Sequence, residues 1–318
     1  MFAPSSVTDP ADRRFFTRCA LGALAVYAAA SVVPLLNSLP QSWDGFRMAW
    51  APRLTGATGG WWAAFAISFC LPDWIPDRKI RREALLWNYF TFFLPYEHAR
   101  NSPAGVAGSL FAIALAMIVR AMQRRPGGKG PALLDPRHAT VAGLLLGLAF
   151  VARSETIFLT AGLTAWLLRF GGRIPAAWVG LVAGALASTM LVARGPLFAF
   201  TYCAEDLTRV VALGPVLLCA LGTSWLLKTR LSLTWITVPY FIATRALGCR
   251  GYAALMPIAV YAPTQAALAW LALPQKYPRA GRAVACFTAT ATARRLYRAA
   301  FWINMALLAT GGFLGLVR

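Results

Sequence analysis

The side chains best suited to chemistry in this 318-residue chain are few and far apart. The two histidines, His98 and His138, belong to neither the H-x-x-E-H nor the H-x-E pattern of metal-dependent enzymes. Both flank apolar segments, so we expect them to be solvated at a membrane surface. No catalytic residue is predicted from them.

The remaining reactive patterns also fall short of a known site. The glycine-rich stretch around Lys129 lacks the G-x-x-x-x-G-K-[ST] order of a phosphate loop and is interpreted as a flexible basic turn. Glu205 and Asp206 are adjacent, so they point to different helix faces, and we expect them to cap the following helix. The six cysteines include no C-x-x-C pair. Neither a metal site nor a cofactor is therefore expected.

Arg153 and Glu155 form the charged pair with the clearest functional alternative. They lie between two apolar runs, 138–152 and 156–170, which are short for a hydrocarbon core of about 30 Å. If the pair lies below the headgroups it lines a hydrated path, because charges inside a membrane are unfavourable and usually functional. If the hairpin loop is solvated the pair contributes little. We favour the solvated loop.

The composition assigns the fold class. Hydrophobic residues make up 58% of the chain and charged residues only 13%, which excludes an ordinary soluble domain. The sequence predicts an all-α, polytopic transmembrane helical bundle with about 9–11 membrane segments.

The strong positive charge comes from basic residues that lie between apolar segments. The chain has 31 Lys and Arg against 11 acidic residues. In a soluble protein this excess would suggest nucleic acid, but here its position indicates topology and contact with anionic headgroups. The expected partners are membrane lipids, including anionic headgroups, with other membrane subunits as a further candidate and no nucleic acid.

Small residues recur at every fourth position in several predicted helices. Ala139, Gly143 and Gly147 share one helix face, and Gly180 and Gly184 share a face of another. At this spacing a neighbouring backbone can approach closely, so these residues are predicted to pack helices within hairpins. A substrate path along the small face is the alternative.

The chain divides into three predicted parts. Residues 1–54 hold a membrane helix and an amphipathic interfacial segment, with Trp43, Phe46 and Trp50 on one face. Residues 55–208 form a small-residue hairpin bundle, in which prolines 72 and 76 are expected to stop a helix. Residues 209–318 contain prolines within apolar runs, which predicts kinks or half-helices.

The distribution of basic residues predicts the orientation. When the segments alternate from the N-terminus, the basic runs 78–82 and 276–298 fall on the same side as the N-terminus, together with most other basic residues. By the positive-inside rule this side is cytosolic, or the matrix if the membrane is mitochondrial. The start of the chain resembles neither a secretory signal nor a transit peptide.

The order of several motifs resembles the transmembrane protein 135 family, which is related to Tim-type translocase subunits and peroxisomal membrane proteins. The resemblance covers roughly residues 15–200. It is carried by Asp77-Arg78-Lys79-Ile80-Arg81-Arg82, Leu85, Leu86, Tyr89, Gly105, Gly108, Ser109, Leu110, Phe111, His138-Ala139, Ala142-Gly143, Gly147, Ser154, Thr156 and Ile157. It implies small-residue hairpins in a peroxisomal or mitochondrial inner membrane and brings no catalytic residues.

The expected function follows from this resemblance and from the scarcity of reactive groups. We expect a non-enzymatic integral membrane protein of the peroxisome or mitochondrion, a scaffold or conduit involved in lipid metabolism or organelle dynamics. A solute or lipid transporter is an alternative that the C-terminal prolines favour. A membrane-embedded lipid-modifying enzyme is a third, disfavoured because histidines and acidic residues are scarce in the apolar segments.

Overall fold

The computed structural model describes residues 7, 9–32, 42–123, 135–170, 175–192, 234–246 and 256–310, and these ranges contain helices but no strand. The helices are α1 (Pro10–Val32), α2 (Trp43–Gly45), α3 (Ala51–Trp74), α4 (Arg78–Phe90), α5 (Leu94–Ala99), α6 (Pro103–Gln123), α7 (Pro136–Ala152), α8 (Thr156–Phe170), α9 (Pro175–Val192), α10 (Thr234–Ala246), α11 (Met256–Ala259), α12 (Ala262–Lys276), α13 (Pro278–Ala289) and α14 (Ala291–Thr310). The predicted all-α class is confirmed.

Four helical stretches are long and apolar enough to cross a membrane. They are Pro10–Val32, Trp43–Trp74, Pro103–Met122 and Pro175–Val192. Helices α7 and α8 are apolar but shorter, as the sequence predicts. The chain is thus a multi-pass helical membrane bundle, and the predicted segment from about 207 to 227 lies outside the described residues.

The predicted interfacial segment is the beginning of a spanning helix. A π-helical turn, Phe46–Trp50, joins α2 to α3, so the helical stretch runs without a break from Trp43 to Trp74. The boundary predicted at residue 54 therefore falls inside α3. The helix ends at Trp74, between Pro72 and Pro76, as predicted, and Pro72 lies in its last turn, where the missing N–H removes one bond of the helix ladder.

The chain between residues 78 and 99 is divided into two helices, α4 and α5. Thr91 is extended, and Pro95 is the second residue of the new helix, a position where its missing N–H does no harm. Buried Asn304 of α14 bridges the break: its Nδ2 donates to Phe90 O at 2.8 Å and its Oδ1 accepts from Phe92 N at 3.0 Å. A remote helix thus satisfies the backbone groups that the break frees.

The small-residue faces bring α7 and α9 into close contact. A Cβ added at Gly143 or Gly184 would lie less than 3.0 Å from backbone atoms of the other helix, and at Gly147 or Gly180 equally close to side chains of Ser188 or Thr140. The small face of α7 packs much more extensively on α9 than on α8, its neighbour in the chain. This face is filled by backbone and leaves no room for a substrate path.

Buried Ala139 lies in α7 as well, one turn before Gly143. Helix α8 packs chiefly against α10, and α11 packs against α6. These contacts join helices on either side of the predicted boundary at residue 208. The division into a hairpin bundle and a C-terminal part stays a prediction.

The predicted basic loop 276–298 is helical. It contains α13 and the first turns of α14, which begins at Ala291. Pro278 stands at the first position of α13, where proline favours helix initiation, and alanine and arginine continue it. With Arg279, Arg282 and Phe287 all exposed, α13 has the composition of a helix lying at a membrane surface.

Candidate functional site

A cavity of about 730 Å³ opens between α4, α12, α13 and α14. Its lining is Ile80, Glu83, Ala84 and Trp87 of α4, Pro263, Ala266, Ala267 and Trp270 of α12, Thr288 of α13, and Ala293, Arg294, Tyr297 and Arg298 of α14. The volume is in the range of about 300–1,000 Å³ that is usual for pockets holding a small ligand.

Helix α4 has one face that lines the cavity and an opposite face that is buried in the bundle. Ile80, Ala84 and Trp87 follow one another at spacings of three and four and line the cavity. Leu85 and Tyr89 lie on the other side and are buried in the bundle. The cavity wall is therefore the outer face of a helix whose inner face is fixed by the core.

Tyr297 connects the two sides of the cavity. Its hydroxyl donates to the Glu83 carboxylate and accepts a hydrogen bond from Trp87 Nε1 at 3.1 Å. Burial raises the pKa of Tyr297, and the hydrogen bond to Glu83 raises that pKa further, while the bond from Trp87 lowers it. The phenol therefore stays protonated at neutral pH and acts as the donor to Glu83.

The lining of the cavity contains two cationic side chains. Arg294 and Arg298 line it, and neither makes an ion pair with an acidic residue in the described part of the chain. Tyr297 pairs with Glu83 and Asn304 pairs with Phe90, so α14 runs parallel to α4. Arg294 therefore lies nearer the beginning of α4, where the basic run 78–82 is found, and Arg298 follows Tyr297, which contacts Glu83 and Trp87.

Asp12 of α1 holds this basic run in place. The carboxylate is 3% exposed and accepts from Arg78 Nε at 2.8 Å, Arg81 Nη2 at 3.1 Å and Arg82 Nε at 2.9 Å. Arg78 also pairs with Asp9 at 2.9 Å. Two carboxylates against three guanidinium groups leave this end of the bundle positive. The first turn of α1 and the basic run share one end of the bundle, as the charge pattern predicts.

The structure buries Arg153 and Glu155 in the turn between α7 and α8. The residues are 7% and 0% exposed, and Arg153 Nε donates to Glu155 Oε2 at 3.1 Å. The favoured prediction of a solvated loop is wrong. The turn can be buried because the two charges neutralise each other. In addition, the backbone N–H and the side-chain hydroxyl of Thr156 both donate to Arg153 O.

His98 is also buried, in contrast to the prediction of surface solvation. It is 2% exposed, and its Nδ1 lies 3.2 Å from Ser109 Oγ. A Cβ at Gly60 would lie less than 3.0 Å from the imidazole, so the glycine makes the space for the ring. Among the described residues no carboxylate contacts the ring, so this part of the chain provides His98 and Ser109 with no acid that would orient a nucleophilic triad.

His138 lies at the surface, as predicted. Its Nδ1 is 2.6 Å from Asp135 Oδ2, and both side chains are about half exposed. This hydrogen bond lowers the pKa of Asp135, which is the residue before the first turn of α7. The glycine-rich stretch around Lys129 and the pair Glu205 and Asp206 lie outside the described residues.

Metal and family comparisons add no other site. Within the described ranges, no group of three or more histidine, cysteine or acidic residues is arranged to hold a metal ion. No family model, curated protein or solved structure matches the chain. The cavity is the site that sequence reasoning missed, because its walls come from helices far apart in the chain.

Proposed function

We propose that this chain is a non-enzymatic, multi-pass membrane protein that binds an anionic lipid in the cavity between α4 and α14. In that role it acts as a scaffold or conduit in lipid metabolism or organelle dynamics. The observation that carries the proposal is the lining of the cavity, which combines apolar walls with two arginines. This combination of apolar and cationic side chains matches a molecule with an acyl chain and a negatively charged head.

The physical argument places selectivity in the charges. A lipid tail gains little by leaving the hydrocarbon core for an equally apolar wall. A headgroup gains roughly 1 kcal/mol for each Lys or Arg near the surface. Arg294 and Arg298 therefore decide which lipid binds, and the apolar wall decides where its chain lies.

Removing both cavity arginines tests the proposal. In the full chain in detergent, Arg294→Gln/Arg298→Gln is expected to weaken binding of a phosphatidylglycerol by about 2 kcal/mol, or roughly thirtyfold. Binding of a phosphatidylcholine of the same chain length should hardly change. The measurement is a lipid titration followed by native mass spectrometry.

Arg295→Gln is the matched control, because Arg295 is an exposed neighbour on α14 that does not line the cavity. It should keep most of the wild-type affinity. If Arg295→Gln weakens binding as much as the double variant, the headgroup is attracted by general surface charge, and the cavity is not its site.

The compartment is a second part of the proposal and rests on the resemblance to the transmembrane protein 135 family. We propose a peroxisomal or mitochondrial inner membrane, with the N-terminus in the cytosol or the matrix. A tagged chain is expected to co-fractionate with peroxisomal or mitochondrial markers and to resist carbonate extraction. Recovery with secretory-pathway membranes alone would contradict it.

Transport is the alternative function that one observation favours. Arg153 and Glu155 are buried in a turn between two short apolar helices, and charges at such positions often line the path of a solute. A transporter needs this pair for flux, whereas a scaffold needs it only for folding.

A further inference from the structure

We propose that the cavity selects an anionic amphiphile with a single acyl chain, such as a long-chain carboxylate or a lysophospholipid, over a lipid with two chains. This inference rests on the proposed function, because it assumes that the cavity is a lipid site. It adds the number of chains and the way in which the head is held.

The size of the cavity limits the ligand to one chain. About 730 Å³ is the volume of a small-ligand pocket, and a phospholipid with two long chains is larger than this class of ligand. The hydrogen bonds between Tyr297, Glu83 and Trp87 hold α14 against α4 in the wall of the cavity. A ligand too large for the cavity would have to part these two helices.

The shape of the apolar wall suits one extended chain. Ala266 and Ala267 of α12 and Ala84 of α4 are the small residues of the apolar lining, and Trp87 and Trp270 provide its large rings. Aromatic and alanine side chains provide apolar contact without a polar group that a methylene chain would leave unpaired. The chain therefore needs no hydrogen-bonding partner along the wall.

The two arginines are spaced to hold one head. Arg294 and Arg298 are four residues apart on α14, so they are neighbours on one helix face, with Cβ atoms about 5–6 Å apart. Two guanidinium groups at this distance can donate to the oxygens of one carboxylate or phosphate. Glu83 is the acidic residue of the lining, and its carboxylate is engaged by Tyr297, so the lining keeps a net positive charge.

Competition binding on the purified full chain tests the inference. A lysophosphatidic acid with one C18 chain should bind about tenfold more tightly than the phosphatidic acid with two such chains. A C18 fatty acid should compete with it. Inorganic phosphate and a C18 trimethylammonium should not compete, since the first lacks a chain and the second carries the wrong charge.

Two variants locate the binding site. Ala266→Trp should fill the cavity and abolish binding of the single-chain probe. Ala300→Trp, at an exposed position of α14 outside the lining, should leave binding of this probe unchanged. Because the filled variant could fail to fold, Arg294→Glu/Arg298→Glu provides a second test at exposed positions and should reduce binding at least tenfold.

The outcomes separate this inference from the proposed function. Equal, arginine-dependent binding of one-chain and two-chain lipids would overturn the single-chain inference and leave the proposed function standing. Loss of arginine dependence for every lipid would overturn both. A folded Ala266→Trp variant that binds the single-chain probe as wild type does would exclude the cavity as its site.

Discussion

Replacing Glu155 by glutamine is expected to destabilise the fold by about 3–5 kcal/mol, because it leaves the Arg153 guanidinium buried without its counter-charge. Glu155 is fully buried and its carboxylate accepts from Arg153 Nε at 3.1 Å, so water cannot take its place without opening the turn. The measurement is thermal or chemical unfolding of the purified protein in one detergent. An unchanged unfolding midpoint would mean that the turn is hydrated.

A double variant separates the role of the charges in folding from a role in transport. Arg153→Met/Glu155→Leu removes both charges and keeps the apolar volume, and should be clearly more stable than Glu155→Gln alone, since a buried pair can often be replaced by apolar side chains. Flux in proteoliposomes is then compared at equal protein level. If the stable double variant loses flux, the charges are needed for transport, and this result supports the transporter alternative over the scaffold proposal.

The helices themselves follow from the local pattern of the sequence. Apolar length predicts α7 and α8 to within a few residues, because this signal needs no knowledge of a partner. The break at Thr91 was missed since Asn304, more than two hundred positions away, satisfies the free backbone groups. A helix boundary that depends on a remote side chain cannot be predicted from the neighbouring residues.

The burial of polar residues is the feature that the sequence predicts least well, and the reason is again a contact between residues far apart in the chain. Arg153, Glu155 and His98 flank apolar runs, and position along the chain alone favours the surface for such residues. Whether they are buried depends on which helix covers them. That Gly60 faces the His98 ring can be known only from the fold.

The cavity could not be predicted from the sequence either. Arg294 and Arg298 were counted as basic residues of a connecting loop and thus as topology signals, and only their placement on α14 gives them a common face. Ile80, Ala84 and Trp87 form an apolar stripe on α4. That this stripe meets α12 and α14 instead of lipid is a property of the assembled bundle.

The second large effect is expected at the glycine contact between α7 and α9. Gly143→Ala should lower the unfolding midpoint and cost about 1–3 kcal/mol, because the added methyl group would lie less than 3.0 Å from the backbone carbonyl of Leu181, and backbone cannot move aside as a side chain can. The two helices must separate. Gly184→Ala makes the reciprocal clash with the backbone of Thr140.

One separation of α7 from α9 should relieve both clashes, so the double variant Gly143→Ala/Gly184→Ala is expected to lose less stability than the two single losses added together. Val141→Leu is the control, since Val141 is 44% exposed on the same helix and a larger apolar side chain there meets no neighbour. All four proteins are unfolded in the same detergent. If Gly143→Ala melts at the temperature of Val141→Leu, this face of α7 does not pack against α9 and the small residues serve another purpose.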